Sequence, residues 1–145
     1  MTNNELITCI IIAGSKIHKS LGTGLFHEVY EECLIYELSK KNIIAERQKT
    51  ISVEFEELKF EKAFIVDLLV EEKLVVGIKH ENAQEGMFRR KVETYIKLCG
   101  QKTGLVIDFN TDDFRSSVRI IEKSFKPTTP SVRNYGYDYY GKNAK

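Results

Sequence analysis

Two short, almost unbroken apolar runs bracket a segment of helical period, and this arrangement limits the fold more than any other feature. Residues 74–79 begin Leu-Val-Val-Gly-Ile, and residues 104–109 read Gly-Leu-Val-Ile-Asp-Phe. Runs of that length suit strands covered on both faces. Between them, Met87, Phe88, Val92, Tyr95 and Ile96 recur at helical spacing within residues 83–99. A strand, a helix and a strand in that order place the second strand parallel to the first.

The preceding residues supply the rest of the layers. Leu6, Ile7, Ile10, Ile11, Ile17 and Leu21 follow helical spacing, with Asn3 or Asn4 suited to cap the helix. Gly22-Thr23-Gly24 ends it. A second helix is predicted over residues 26–41, with Phe26, Val29, Tyr30, Cys33, Leu34 and Leu38 inward. Residues 43–55 contain the strand-like alternation Ile51, Val53, Phe55. A polar turn at Glu56-Glu57 leads to a strand over residues 60–70, and Glu71-Glu72-Lys73 turns the chain again. Residues 117–121 fit either a final strand or a short helix. There are no internal repeats. The order α-α-β-β-β-α-β predicts an α/β sandwich with a mixed central sheet.

A chain of 145 residues with 42% hydrophobic residues is long enough for one buried core. Its 22 Lys and Arg against 21 Asp and Glu leave a net charge of +1, which excludes nucleic-acid binding driven by bulk charge. No apolar run approaches the roughly 18 residues of a membrane span, and no basic segment precedes residues 10–13 as in a signal peptide. Cys9, Cys33 and Cys99 form no C-x-x-C pair and read as buried thiols. These features predict an intracellular chain in the reducing cytoplasm or nucleus, neither secreted nor bound to membrane. Composition divides it into a domain over residues 1–125 and a tail over residues 126–145. The tail holds both prolines and Tyr135, Tyr137, Tyr139 and Tyr140, with four basic side chains against one acidic. Interleaved tyrosine, glycine and basic residues suit stacking on bases or docking on protein, a second copy included.

Several short matches, in order, carry a family resemblance. They are His18, Leu21-Gly22-Thr23-Gly24-Leu25, Val29-Tyr30-Glu31-Glu32, Leu38 and Glu46-Arg47-Gln48. Asp67-Leu68-Leu69-Val70-Glu71, Val75-Val76, Lys79, Tyr95-Ile96-Lys97 and residues 104–109 follow. In these the chain resembles the small GxxExxY proteins of the PD-(D/E)XK nuclease-like superfamily. The resemblance implies a restriction-endonuclease-like sandwich and a metal-dependent nuclease site. That site takes an aspartate at one strand end, an acid two residues before a lysine on the next strand, and a helix glutamate. The acids hold a divalent cation, and the lysine positions water or steadies phosphate charge.

The pattern departs from the family where that chemistry sits. His27 stands at the helix glutamate, Gly77 at the acid before the lysine, and Lys91 at a third-helix glutamine. Asp67 and Lys79 remain as the catalytic remnant. Losing one metal-binding acid typically costs about 10²-fold or more in rate. Gly77 would also weaken a strand by roughly 0.5–1 kcal/mol, unless another group packs closely there. Replacement acids are available in Glu28, Glu81, Glu85 and Glu93, and His27 with Asp67 suits a softer metal. Strand alternation turns His80 away from Lys79. Asp67 either caps a turn, pairs with Lys79 or persists as an unused ligand.

Lys79, Arg89, Arg90, Lys91 and Lys97 cluster around this position and suit phosphate contacts. The sequence therefore predicts a catalytically inactive nuclease-fold protein, with no metal ligand set and no cofactor. Its role would be a nucleic-acid-binding or structural and assembly subunit. Two alternatives stay open. One is a magnesium- or manganese-dependent nuclease with a migrated acid. The other is a dimeric protein-interaction module without nucleic-acid binding.

Overall fold

The computed structural model describes residues 1–122; the tyrosine tail predicted for residues 126–145 lies outside the described residues. The elements are helices α1 (Asn3–Leu21) and α2 (His27–Ser39) and strands β1 (Ala45–Phe55), β2 (Leu58–Val70) and β3 (Leu74–Ile78). Helix α3 (Glu85–Leu98), strand β4 (Thr103–Ile107), the short helix α4 (Phe114–Ser117) and strand β5 (Arg119–Glu122) follow. Residues 117–121 thus resolve the open alternative both ways, as a helical turn and then a strand. Among the described residues no helix is long and apolar enough to cross a membrane.

The sheet is mixed, in the order β1-β2-β3-β4-β5. β3 and β4 pair in parallel, with Val76 opposite Leu105, as the intervening helical segment predicted. β2 meets β3 antiparallel, and β5 meets β4 antiparallel. Glu71 and Glu72 both adopt left-handed backbone in the β2–β3 turn. That conformation matches the twist of adjacent strands in a tight hairpin.

The described residues fall into two compact units. One comprises Met1–Lys49 together with the chain from Val66 onward; the other is the stretch Thr50–Ile65. In the second, Ile51, Val53 and Phe55 are half-buried and alternate with exposed residues, which is the predicted period of two.

The core of the first unit lies between α1, α2 and one face of the sheet. Leu6, Ile10, Ile17, Leu34 and Leu38 pack with Leu68, Val76, Ile78, Leu105 and Ile107. Helix α3 covers the other face by a close approach. A Cβ added at Gly77 would lie 2.6 Å from Val92 Cγ2, and one at Gly104 would lie 2.5 Å from Ile96 Cδ1. Val92 and Ile96 are one turn apart on α3. The two glycines, on adjacent strands, form the trough that receives them. Gly77 therefore serves close helix–sheet packing.

Local corrections have local causes. Thr2, not Asn3 or Asn4, caps α1. Its hydroxyl accepts from the Glu5 N–H at 3.1 Å, and the Glu5 carboxylate accepts from the Thr2 N–H at 2.7 Å. This reciprocal capping box satisfies two otherwise orphaned donors. Leu21, Phe26, Val29 and Met87, predicted inward, are exposed. Phe26 is the N-cap of α2 with extended backbone, so the helical phase does not apply to it. The cysteines are half-buried rather than buried, and burial pushes the Cys99 thiol up to about 11.

Candidate functional site

The site forms where the first unit's sheet opens. The β2–β3 ladder runs from Val70 opposite Leu74 to Leu68 opposite Val76. At the next residue a side chain takes over: Asp67 Oδ2 accepts from the Ile78 N–H at 3.0 Å. β3 ends there, but the backbone N–H of Lys79 still donates to Ile107 O at 2.8 Å. The chain then turns, with Ala83 N–H donating to His80 O at 3.0 Å.

That turn corrects the sequence reading of His80. Alternation holds only while the strand continues, and the strand stops two residues earlier. His80 swings onto His27, and their ring centroids are 3.9 Å apart. The same turn takes Glu81 off any extended β3 face.

The loop before α2 forms another wall. The Tyr30 hydroxyl donates to Gly22 O at 2.7 Å and accepts from the Leu25 N–H at 3.2 Å. Tyr30 stacks on Phe109 with centroids 4.2 Å apart, and Gly24 N–H donates to Asn110 Oδ1 at 2.8 Å. Gly22 and Gly24 both have positive φ, which their lack of a Cβ makes inexpensive. The resulting cleft encloses about 540 Å³. Its titratable lining is His27, Lys79, His80 and Lys91, with Tyr30 and a single carboxylate, Glu81, among the described residues.

The other carboxylates are held inside. Glu31, one residue beyond Tyr30, is fully buried. It accepts from Arg47 Nε at 2.8 Å and from Gln48 Nε2 at 3.1 Å on both oxygens. His27 Nε2 lies 3.8 Å from it. The sequence matched Glu31, Arg47 and Gln48 without assigning them a role. The available signal was a charged residue on α2's inward face, in phase with Leu34 and Leu38.

Burial raises the Glu31 pKa; hydrogen bonds from Gln48 and Arg47 oppose the rise, and the Asp67 charge adds to it. Burial also raises Asp67, opposed by the Ile78 N–H and the positive field of His80, His27 and Lys91. His80 is pushed down, first by burial and then by His27 and Lys91, against the pull of Asp67 and Glu28.

Lys79 pairs with Asp108, not Asp67, at 3.8 Å. Lys91 reaches the cleft from the flank of α3, its ammonium 5.8 Å from the centroids of both Phe88 and Tyr95. The other three predicted phosphate contacts do not join them in the lining. Arg89 pairs with Glu93 at 3.5 Å, Arg90 donates to Met87 Sδ at 3.0 Å, and Lys97 is exposed. Of the replacement acids, Glu28 sits 3.6 Å from His27 Nδ1, and Glu85 lies 3.9 Å from Arg119 of β5. Only Glu81 lines the cleft.

A hard divalent cation takes several converging oxygens, and the carboxylate that lines this cleft is Glu81 alone among the described residues. Asp67 has one oxygen engaged by backbone, Glu31 is engaged by Arg47 and Gln48, and Val92 fills the space beside Gly77. Among the described residues no group of three or more His, Cys, Asp or Glu side chains is placed to hold a metal ion. What the cleft offers instead is ammonium and imidazole donors beside aromatic and aliphatic surface.

No curated protein and no solved structure matches the chain. The family model of the PD-(D/E)XK nuclease superfamily matches residues 4–121, nearly the whole described chain. With a five-stranded mixed sheet, flanking helices and Asp67 and Lys79 at the mouth of the opened ladder, the chain belongs to the PD-(D/E)XK nuclease superfamily.

Proposed function

We propose that this chain binds the phosphate backbone of nucleic acid without cutting it, alone or as a subunit of a larger assembly. One observation carries the reading: Lys79 and the exposed Lys91 line the cleft while Asp67 and Glu31 are engaged by the protein's own donors. Lys79 and Lys91 supply charge to phosphate oxygens, and His27 and His80 add ring N–H donors. Arg89, Arg90 and Lys97 serve as outer contacts on α3, away from the cleft lining.

The test measures binding of DNA and RNA oligonucleotides across a salt series, with cleavage followed in magnesium and in manganese. Binding is expected to weaken with salt, and Lys79→Ala/Lys91→Ala to reduce the logarithmic slope by about 2. No cleavage is expected. Wild-type cleavage that Asp67→Ala abolishes overturns the non-cutting reading.

Glu81 favours a second reading, because it brings a carboxylate into the cleft near Lys79. In that reading the chain is a metal-dependent nuclease with a migrated acid. Metal-dependent cleavage lost in Glu81→Gln would establish it.

A further inference from the structure

Phe26 is 81% exposed at the lip of the cleft, although a phenylalanine normally buries its ring. It is the N-cap of α2, and the loop that presents it is fixed by the Tyr30 and Asn110 hydrogen bonds. Leu25 beside it is also exposed and lines the same cleft. An apolar lip alone would fit many partners. This one continues directly into a hollow lined by Lys79, Lys91, His27 and His80. A sphere of about 540 Å³ is about 10 Å across, within the usual range for small-ligand pockets. One nucleotide can therefore place its phosphate among the cations and its base against the aromatic lip.

We infer that the cleft selects single-stranded nucleic acid, with an unpaired base stacked on Phe26 and the adjoining phosphate held by Lys79 and Lys91. A duplex keeps its bases stacked on one another and offers the lip only its backbone. An unpaired base exposes a π-face, and such stacking tolerates any base. This inference rests on the phosphate-binding reading above and adds the strand class and the residue that selects it.

The experiment uses the full chain and labelled oligonucleotides of about 12 nucleotides. The probes are oligo-dT, oligo-rU, a duplex of the same length and an abasic single strand of the same charge. Single strands should bind at least about tenfold more tightly than the duplex or the abasic strand. Phe26→Ala should remove about tenfold from oligo-dT and leave duplex and abasic binding within about twofold. Phe26→Tyr should retain single-strand binding, which separates stacking from folding. The DNA and RNA arms decide which sugar is accepted. Equal affinity for all probes, still dependent on Lys91, overturns the strand selection and leaves phosphate binding standing. No binding to any probe overturns both. If Phe26→Ala instead abolishes self-association and leaves oligo-dT binding intact, the lip is a protein contact and the inference fails.

Discussion

The carboxylate cluster behind α2 and the cleft in front of it share His27 and Asp67's field, yet they are built on opposite terms. Behind the helix, Glu31 is fully buried and its oxygens are met by Arg47 and Gln48. In front, Lys91 is exposed, the rings of His27 and His80 line the cleft against one another, and Lys79 has a loose partner in Asp108 at 3.8 Å. A fold with carboxylates in its centre can thus line an opening with Lys79 and Lys91. What decides the local charge is which groups the protein itself satisfies, since a satisfied buried ion has little left to offer a ligand.

The sharpest way to break this contrast is to empty the inner cluster. Glu31→Ala should destabilise the chain by about 2–3 kcal/mol, because Arg47 and Gln48 lose their shared acceptor. The loss sits at the low end for a buried pair because Arg47 can turn to solvent and to Glu32, 3.7 Å away. Glu31→Gln, which keeps an acceptor, should cost much less. Denaturant midpoints of the three proteins check this, and equal stability would mean that the cluster contributes nothing.

The next effect concerns the contact of β3 with α3. Gly77→Ala should cost about 1–3 kcal/mol, since the new Cβ meets Val92 Cγ2 at 2.6 Å. Val92→Ala should cost less in the Gly77→Ala background than in the wild type. A double-mutant cycle measures that coupling. Additive losses would show that α3 shifts freely. The same contact bears on restoring an acid here: Gly77→Glu must first displace Val92 and Phe88.

A smaller effect runs the other way. Burial raises Asp67, so the folded chain binds more protons than the unfolded chain above the ordinary value of 3.8. Stability contributed by this group is fully present below that value and is lost as pH rises towards the folded value. Asp67→Asn should therefore stabilise the protein at neutral pH, with the gain vanishing as pH falls below the ordinary carboxylate value of 3.8. Its amide oxygen can still accept from Ile78. A loss of stability at pH 7 would mean that the Asp67 charge supports the fold.

The smallest expected effect is at His80, whose pKa is lowered. Here the unfolded chain binds more protons below 6.5, so stability falls as pH drops from 6.5 through the folded value. The ring is partly open to solvent, which keeps the effect small. His80→Gln should flatten the fall in thermal stability below pH 6.5. An unchanged slope would assign the titration to other groups.

The sequence by itself determined the layers and their order, because apolar period and turn residues report local geometry. The parallel β3–β4 pair and the two N-terminal helices were legible in this way, whereas Asp67, Lys79 and Lys91 were singled out by the family resemblance and not by period. Local periods lose their meaning where an element stops. His80 lies beyond the end of β3 and Phe26 just before α2, and both were assigned the wrong direction for that reason. Only the tertiary structure decided that Glu31 would be sealed by Arg47 and Gln48, that Gly77 would admit Val92, and that Lys79 would turn to Asp108. Those choices join residues from different elements, and they are settled by packing density and by the cost of leaving buried charge unsatisfied.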